Sequence, residues 1–204
     1  MTLVALATSD IPQAPLETFC HQVSAAGIDA EVSESRILLR SAEPPSWIQL
    51  FADSSWWVKG LGAFATLYVA ELVKEAAKTT WQARAKAAHL ATRTANNALG
   101  RFSKAILRLR AECPERTKLV LGLPVPEDYF GAQFELVGRE EELLAAEIAL
   151  FLRHLSALQS LLDREALPGG VLGAVTIRLR DNGDLYVAWL NKEFQLHEHV
   201  LALE

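Results

Sequence analysis

Apolar residues recur along the chain with two periods, one typical of strands and one typical of helices. Near the N-terminus TLVALAT predicts a buried strand, and AEVSESRILLR predicts one or two more. Between them lies one helical face, which Pro15 can open and Gly27 can close. The apolar residues of that face are Leu16, Phe19, Cys20 and Val23. This part of the chain therefore predicts a β-α-β arrangement.

A long helical insertion is predicted for residues 46–112. Its first part, residues 47–73, is aromatic and apolar nearly all round, which is typical of a helix at the centre of a fold. Ser46 and Gln49 match a capping box, so we place the start of the helix at Ser46. Farther on, the apolar residues follow one seam that begins with alanines, where a second helix can approach closely. The seam consists of Trp81, Ala85, Ala88, Ala95, Leu99, Phe102, Ile106, Leu109 and Cys113.

Two questions about this insertion stay open in the sequence. A single helix over 46–112 would be roughly 100 Å long at 1.5 Å per residue, so a hairpin with a break or kink near Gly100 is favoured over one long bent helix. The alanine seam can pack against a helix of the same chain or of a second copy. A homodimer is therefore one of the alternatives.

The rest of the chain predicts a ββ-α-ββ part. TKLVLGL and YFGAQFELV predict strands, residues from about Arg139 to Glu165 predict a helix, and AVTIRLRDNGDLYVAWL predicts a hairpin. The predicted fold class is α+β, with a mixed or antiparallel sheet that contains β-hairpins and is packed by helices. We expect residues 1–204 to form a single domain that carries the helical insertion.

The hairpin provides candidate partner-binding residues. A two-residue turn at Asn182-Gly183 makes the numbers of paired residues sum to 365. Trp189 then lies diagonal to Arg178, and a surface that combines Trp with Arg has the composition of a protein-binding hot spot. The candidate residues are Thr176, Arg178, Arg180 and Trp189. In the alternative interpretation a helix of this protein covers that face, and the arginines extend to its edge.

Charge is distributed unevenly along the chain. Residues 74–118 contain eleven Lys or Arg and three Glu, a charge of +8. Because the net charge of the whole chain is −5, the rest of the chain carries −13. A basic surface is predicted at Arg84, Lys86, Arg93, Arg101, Lys104 and Arg108. A basic surface can bind nucleic acid, anionic lipid or an acidic protein. Because no nucleic-acid motif is present and few aromatic residues interleave with the basic ones, the pattern does not favour nucleic acid.

Membrane attachment is considered only at the surface of a bilayer. The run from Trp47 is broken by Asp53 and Lys59 and later by Glu71, so it lacks the roughly 20 apolar residues of a spanning helix. An aromatic helix over 47–73 followed by the basic segment 74–118 could still lie in the interface. That arrangement requires Trp56 and Trp57 to be exposed.

Chemical motifs are sparse. Cys20 lies on an apolar stripe and Cys113 continues the seam, so both are interpreted as packed thiols, although His21 adjoins Cys20. His197 and His199 would lie on one side of a strand, which is too few ligands for a metal site. No phosphate-binding loop, nucleophile elbow or dinucleotide fingerprint occurs, and no metal or cofactor is expected.

We therefore expect a cytoplasmic, acidic and non-catalytic protein-interaction module, whose role is either toxin-neutralising, as in an immunity protein, or that of an adaptor. The alternative from another class is an enzyme whose non-local site includes His89 or His154. A peripheral membrane protein is the third alternative.

Overall fold

A computed structural model shows an α+β fold built on one eight-stranded mixed sheet, with the strand order β2-β1-β3-β4-β5-β6-β7-β8. The structure describes residues 2–33, 46–62, 65, 66, 68–70, 82, 83, 85, 98–125, 128–163, 167 and 170–202. The strands are β1 Leu3–Ala7, β2 Ala30–Val32, β3 Trp47–Phe51, β4 Lys118–Val125, β5 Asp128–Glu135, β6 Val175–Leu179, β7 Leu185–Leu190 and β8 Leu196–Leu201. The α+β class and the mixed sheet predicted from the sequence are confirmed.

The sheet alternates parallel and antiparallel pairs over most of its width. Three pairs are parallel, β1 with β2, β3 with β4, and β5 with β6. The other pairs are antiparallel. Each parallel pair needs a crossover connection, and the helices of the molecule occur in those connections. The helical insertion lies between β3 and β4.

The helices collect on one face of the sheet around an aromatic cluster. They are α1 Gln13–Ala25, α2 Ser54–Trp57, α3 Ala98–Glu112, α4 Glu141–Arg153 and α5 Leu155–Leu162, and a π-helical turn, Val58–Gly62, follows α2. The ring of Phe151 stacks on Phe134 of β5 at 5.1 Å, and the Trp57 ring meets Phe151 and Phe102 edge-on. Phe102 in turn contacts Phe19. This cluster joins four helices to the middle of the sheet.

The helix predicted to start at Ser46 is wrong at its beginning, because Trp47–Phe51 forms strand β3. This strand lies between β1 and β4 with its first four residues buried, so its apolar run carries no alternation. A short run of this kind cannot be distinguished from a helix by periodicity. The helix begins at Ser54, where the Asp53 carboxylate accepts a hydrogen bond of 2.9 Å from the Trp56 N–H.

The second part of the insertion is helix α3, and it carries the later half of the predicted seam in the core. Leu99, Phe102, Ile106 and Leu109 are buried there. Gly100 lies inside the helix rather than at its end, so α3 is not broken at that position. The number of helices in the insertion and the seam residues Trp81, Ala88 and Ala95 fall outside the described residues. No helix in the described part is long and apolar enough to cross a bilayer.

The helix predicted from Arg139 to Glu165 is present as two helices, α4 and α5, that meet at His154. Every residue of the predicted stripe is buried, namely Ile148, Phe151, Leu155, Leu158 and Leu162. The residues 144–152 of α4 are all buried as well, so burial there surrounds the helix and extends beyond the predicted stripe.

The β6–β7 hairpin has a different register from the predicted one. Arg178 pairs with Tyr186 and Ile177 with Val187, so the numbers of paired residues sum to 364. The loop contains three residues, 181–183, and Gly183 adopts φ 97°. The Arg180 N–H donates to the Asp184 carbonyl at 2.8 Å and closes the loop. A three-residue loop with glycine in the left-handed region is the next most common hairpin connection after the two-residue turn.

Candidate functional site

Strands β6 and β7 have one buried face and one more exposed face, and the edge strand β8 is exposed along most of its length. Val175, Ile177, Leu185 and Val187 are fully buried on the helix side. The opposite side, which we call the β6–β8 face, carries Thr176, Arg178, Arg180, Tyr186, Ala188, Leu190, Leu196, Glu198 and Val200. Its apolar residues are unusually open, with Leu190 and Val200 each 41% exposed and Leu196 61% exposed. The neighbouring Phe194, in the β7–β8 turn, is 76% exposed.

Trp189 is not part of this face, contrary to the predicted arrangement. The one-residue change in register turns its side chain to the helix side, where it is 6% exposed and stacks on His197 at 5.3 Å. Thr176, Arg178 and Arg180 remain together on the β6–β8 face, with Arg178 and Arg180 exposed. The predicted set is thus divided between the two sides of the sheet.

Tyr186 is the aromatic residue that the β6–β8 face does carry, and it lies directly opposite Arg178. The guanidinium of Arg180 lies 5.1 Å from the centre of the Tyr186 ring, within cation–π range. The Tyr186 hydroxyl donates to a carboxylate oxygen of Glu198 on the neighbouring strand, which raises the pKa of the tyrosine. If Asp181-Asn182-Gly183 had been interpreted as a three-residue loop, the sequence would have paired Arg178 with Tyr186.

The exposed surface ends where the central strands begin. On the same side of β3 and β4, Trp47, Gln49 and Val120 are buried. The side chains of Gln49 and Phe51 lie over Gly122, where an added Cβ would come within 2.3 Å and 2.7 Å of them. The β6–β8 face is therefore a bounded patch at one end of the sheet.

The predicted basic surface is described in part. Arg101 and Arg108 are exposed on α3, and the Lys104 ammonium lies 3.6 Å from a carboxylate oxygen of Glu141. Arg84, Lys86 and Arg93 lie outside the described residues. The surface on α3 is separate from the β6–β8 face, because α3 packs on the helix side of the sheet.

Two buried ionic side chains hold the segment that follows β5. The Glu147 carboxylate accepts hydrogen bonds from the backbone N–H groups of Val137 at 3.1 Å and Gly138 at 2.9 and 3.0 Å. The Arg110 guanidinium donates to the carbonyls of Leu136, at 2.8 Å, and Gly138. Together they bind backbone donors and acceptors of residues 136–138 and hold this segment in place after the end of β5.

Burial shifts the pKa of both groups toward the neutral form. Desolvation raises the pKa of Glu147 to about 7, although the two backbone donors and the charge of Arg110 act in the opposite direction. Desolvation also lowers the pKa of Arg110. A carboxyl that titrates near neutral pH beside a cleft is a feature shared by many functional sites.

That cleft has a volume of ≈540 Å³ and lies between residues 137–139, helix α4 and the end of β6. Glu147 and Leu143 line it from α4, Arg139 from the fixed segment, and Arg178 from β6. Arg178 thus belongs both to this cleft and to the β6–β8 face. From the sequence, Glu147 could serve as an acid or base together with His154, two turns farther along, only if another element completed the site, and it is otherwise interpreted as an ordinary surface residue. The structure buries it instead, and a lone charged residue in the apolar run LLAAEIAL signals a buried ionic interaction.

The histidine and cysteine side chains that the sequence raised as candidates for catalysis are interpreted as packing residues where the structure describes them. His154 is 5% exposed, and burial lowers its pKa. It lines neither the cleft beside Glu147 nor a second one, of ≈400 Å³, between α2 and α5. Burial raises the pKa of the thiols of Cys20 and Cys113 to about 11. His89 lies outside the described residues.

His197 and His199 lie on one side of β8, as predicted. A ring nitrogen of His197 is 3.2 Å from the Asn191 amide nitrogen, and the ring stacks on Trp189. Among the residues that the structure describes, no three His, Cys, Asp or Glu side chains cluster as a metal site would require.

Trp56 and Trp57, whose exposure a surface-bound membrane helix would require, are 6% and 0% exposed. Both belong to the aromatic cluster of the core. These two tryptophans therefore cannot insert into a bilayer while the protein is folded.

No protein-family model matches the chain, and neither a curated protein nor a solved structure matches it at a significant level.

Proposed function

We propose that this chain is a non-catalytic protein-interaction module of the cytoplasm that binds another protein through the β6–β8 face. Its role would be toxin-neutralising, as in an immunity protein, or that of an adaptor. The observation that carries the proposal is the exposure of Leu190, Leu196 and Val200 on a sheet face that borders exposed arginines.

The composition of the face supports protein binding. Protein interfaces are enriched in tyrosine and arginine and commonly have an apolar centre with a polar rim. Leu190 pairs with Leu196 and Tyr186 with Val200, and the pair Ala188 and Glu198 lies between them. Arg178 and Arg180 lie on the β6 side of Tyr186. A contiguous apolar patch on a monomer is a common sign of a partner.

The position of the face at the end of the sheet also supports the proposal. Strand β8 is the last strand in the order, so its outer edge has no neighbouring strand among the described residues. An exposed edge beside an apolar face allows a partner to contact side chains and backbone together.

The experiment is affinity capture from source cells with two double variants. Leu190→Asp with Leu196→Asp places two charges at the end of the face next to the β7–β8 turn, and the control is Val58→Asp, since Val58 is 55% exposed on the helix side. We expect one stoichiometric partner to be captured by the wild type and by the control, and to be lost with the double variant. Arg178→Ala with Arg180→Ala should weaken capture less.

The proposal is wrong if Leu190→Asp with Leu196→Asp captures the same partner as the wild type, provided that this variant retains the far-UV circular dichroism and thermal midpoint of the wild type. Sedimentation velocity of the purified chain separates a second copy from a different partner. A dimer that both aspartates dissociate would make the partner a second copy of this chain.

A further inference from the structure

A third cavity lies on the other side of the fixed segment 136–138, and four of the nine residues that line it are basic. Its volume is ≈530 Å³, within the range of sites for small organic ligands and larger than a bare ion needs. Three parts of the chain form it, the end of α3, the connection to β4, and the segment after β5. Its basic residues are Arg110, Arg116, Lys118 and Arg139, and its acidic residues are Glu115 and Glu135.

The lining carries a net charge of +2, from four cations and two glutamates, and three of the cations are exposed. Within the described part of the chain, Arg116, Lys118 and Arg139 make no ion pair, whereas Lys104 on the same helix as Arg110 does. The charge of Arg139 also lies near enough to Arg110 to help lower the pKa of Arg110, beside the larger effect of burial. Like charges held close together around a cavity are stabilised when an anion enters it.

Arg110 and Thr117 add further directional groups. Because Arg110 is bound to two carbonyls of residues 136–138, its guanidinium is held in place before any ligand arrives. The Thr117 hydroxyl oxygen is buried and has no hydrogen-bond partner among the described residues. A buried hydroxyl without a partner calls for one, such as a ligand or an ordered water.

We propose that this cavity binds a small organic anion through its phosphate or carboxylate oxygens. Arg116, Lys118 and Arg139 would neutralise the oxyanion, and the Thr117 hydroxyl would donate a hydrogen bond to it. Arginine suits this task because its planar donors match the oxygens of phosphates and carboxylates. The proposal does not depend on protein binding at the β6–β8 face.

The test is isothermal titration calorimetry of the full chain at low ionic strength, with pyrophosphate and citrate as separate probes. We expect saturable binding of at least one probe with a dissociation constant below about 1 mM. Preference for pyrophosphate would identify phosphate oxygens as the recognised group, and preference for citrate would identify carboxylates. Arg116→Ala with Lys118→Ala should weaken binding at least about tenfold, since two charge-assisted contacts are removed.

The matched control is Arg101→Ala with Arg108→Ala, which removes the same charge from exposed positions of α3. It should leave the dissociation constant unchanged. Thr117→Val keeps the shape of the side chain and should weaken binding severalfold without changing the thermal midpoint. The proposal is overturned if neither probe binds, or if the control loses as much affinity as Arg116→Ala with Lys118→Ala. Should that double variant not fold, Thr117→Val decides, and unchanged affinity in it overturns the proposal.

Discussion

The central strands and the last three strands of the same sheet differ in how many of their faces are buried. In β3 and β4 both faces are buried, so Gln49 and Val120 are as inaccessible as Leu50 and Leu121 behind them. In β6 and β7, buried residues of the helix side alternate with less buried residues of the opposite side, and Leu190 is exposed on that opposite side. The edge strand β8 is exposed along most of its length.

This difference separates positions that stabilise the fold from positions that are available for binding. In a strand that is buried on both faces, any substitution disturbs the packing on one side. A strand with an open face can carry large apolar residues there at little cost to the fold, and such residues are then free to contact a partner. The following experiments test whether the two regions divide in this way.

The largest effect is expected from truncating an aromatic ring in the core. Phe151→Ala removes a ring that stacks on Phe134 and meets Trp57, and should lower the free energy of unfolding by about 4 kcal/mol. Urea denaturation followed by circular dichroism measures it. The matched control is Phe194→Ala, because Phe194 is 76% exposed, and it should change stability by less than about 0.5 kcal/mol. Equal losses in the two variants would contradict the distinction between core and open surface.

The next effect is a dependence of stability on pH caused by Glu147. Its pKa is about 7 in the folded state against 4.5 as the reference, so the folded state binds the proton more tightly. Below pH 4.5 the carboxyl is protonated in both the folded and the unfolded state, so its titration does not change the free energy of unfolding. As pH rises from 4.5 to about 7, the carboxyl ionises in the unfolded state but stays protonated in the folded state, so the free energy of unfolding should fall by about 3 kcal/mol.

Glu147→Gln removes this titration. Urea denaturation at several pH values should show that the difference between wild type and Glu147→Gln changes over that window, whereas Glu112→Gln, at an exposed carboxyl of α3, leaves the wild-type slope. A wild-type slope that persists in Glu147→Gln would show that another group is responsible.

Much of the fold was predictable, because the periodicity of α1 and α3 and the alternation of β5 to β7 follow directly from one-sided burial. Strand β3 was not, since burial on both faces removes the alternation that distinguishes a strand from a helix. The hairpin register depended on whether the loop had two or three residues, and Asn-Gly is compatible with both. One residue of difference moved Trp189 from a predicted surface to the core side.

The clefts were less predictable than the fold. Arg110 and Glu147 are brought together by the packing of α3 against α4, and no local pattern connects them. The arginines and the threonine of the proposed anion-binding cavity are likewise contributed by separate elements. Only the isolated charge of Glu147 in an apolar helix indicated that an ionic interaction was buried there.

A smaller effect is expected from filling the space over a glycine in the doubly buried region. Gly122→Ala would place its Cβ 2.7 Å from Cδ2 of Phe51 and force that ring to move. Overpacking of this kind should lower the free energy of unfolding by about 2 kcal/mol. Gly62→Ala is the control, since its Cβ would meet Val58 at an ordinary 3.5 Å. If Gly122→Ala were as stable as wild type, the packing of Gln49 and Phe51 over β4 would be looser than the structure shows.

The smallest effect on stability, and the one most informative about function, is expected from Leu196→Ser. Leu196 is 61% exposed, so the substitution should change the free energy of unfolding by less than about 0.5 kcal/mol in urea denaturation. Because the same residue is the most exposed aliphatic side chain of the proposed binding face, affinity for the captured partner should fall by about tenfold. Val58→Ser, on the helix side, should change neither quantity. A loss of stability above about 1.5 kcal/mol, with no change in binding, would make Leu196 a packing residue and would assign the β6–β8 face to the fold.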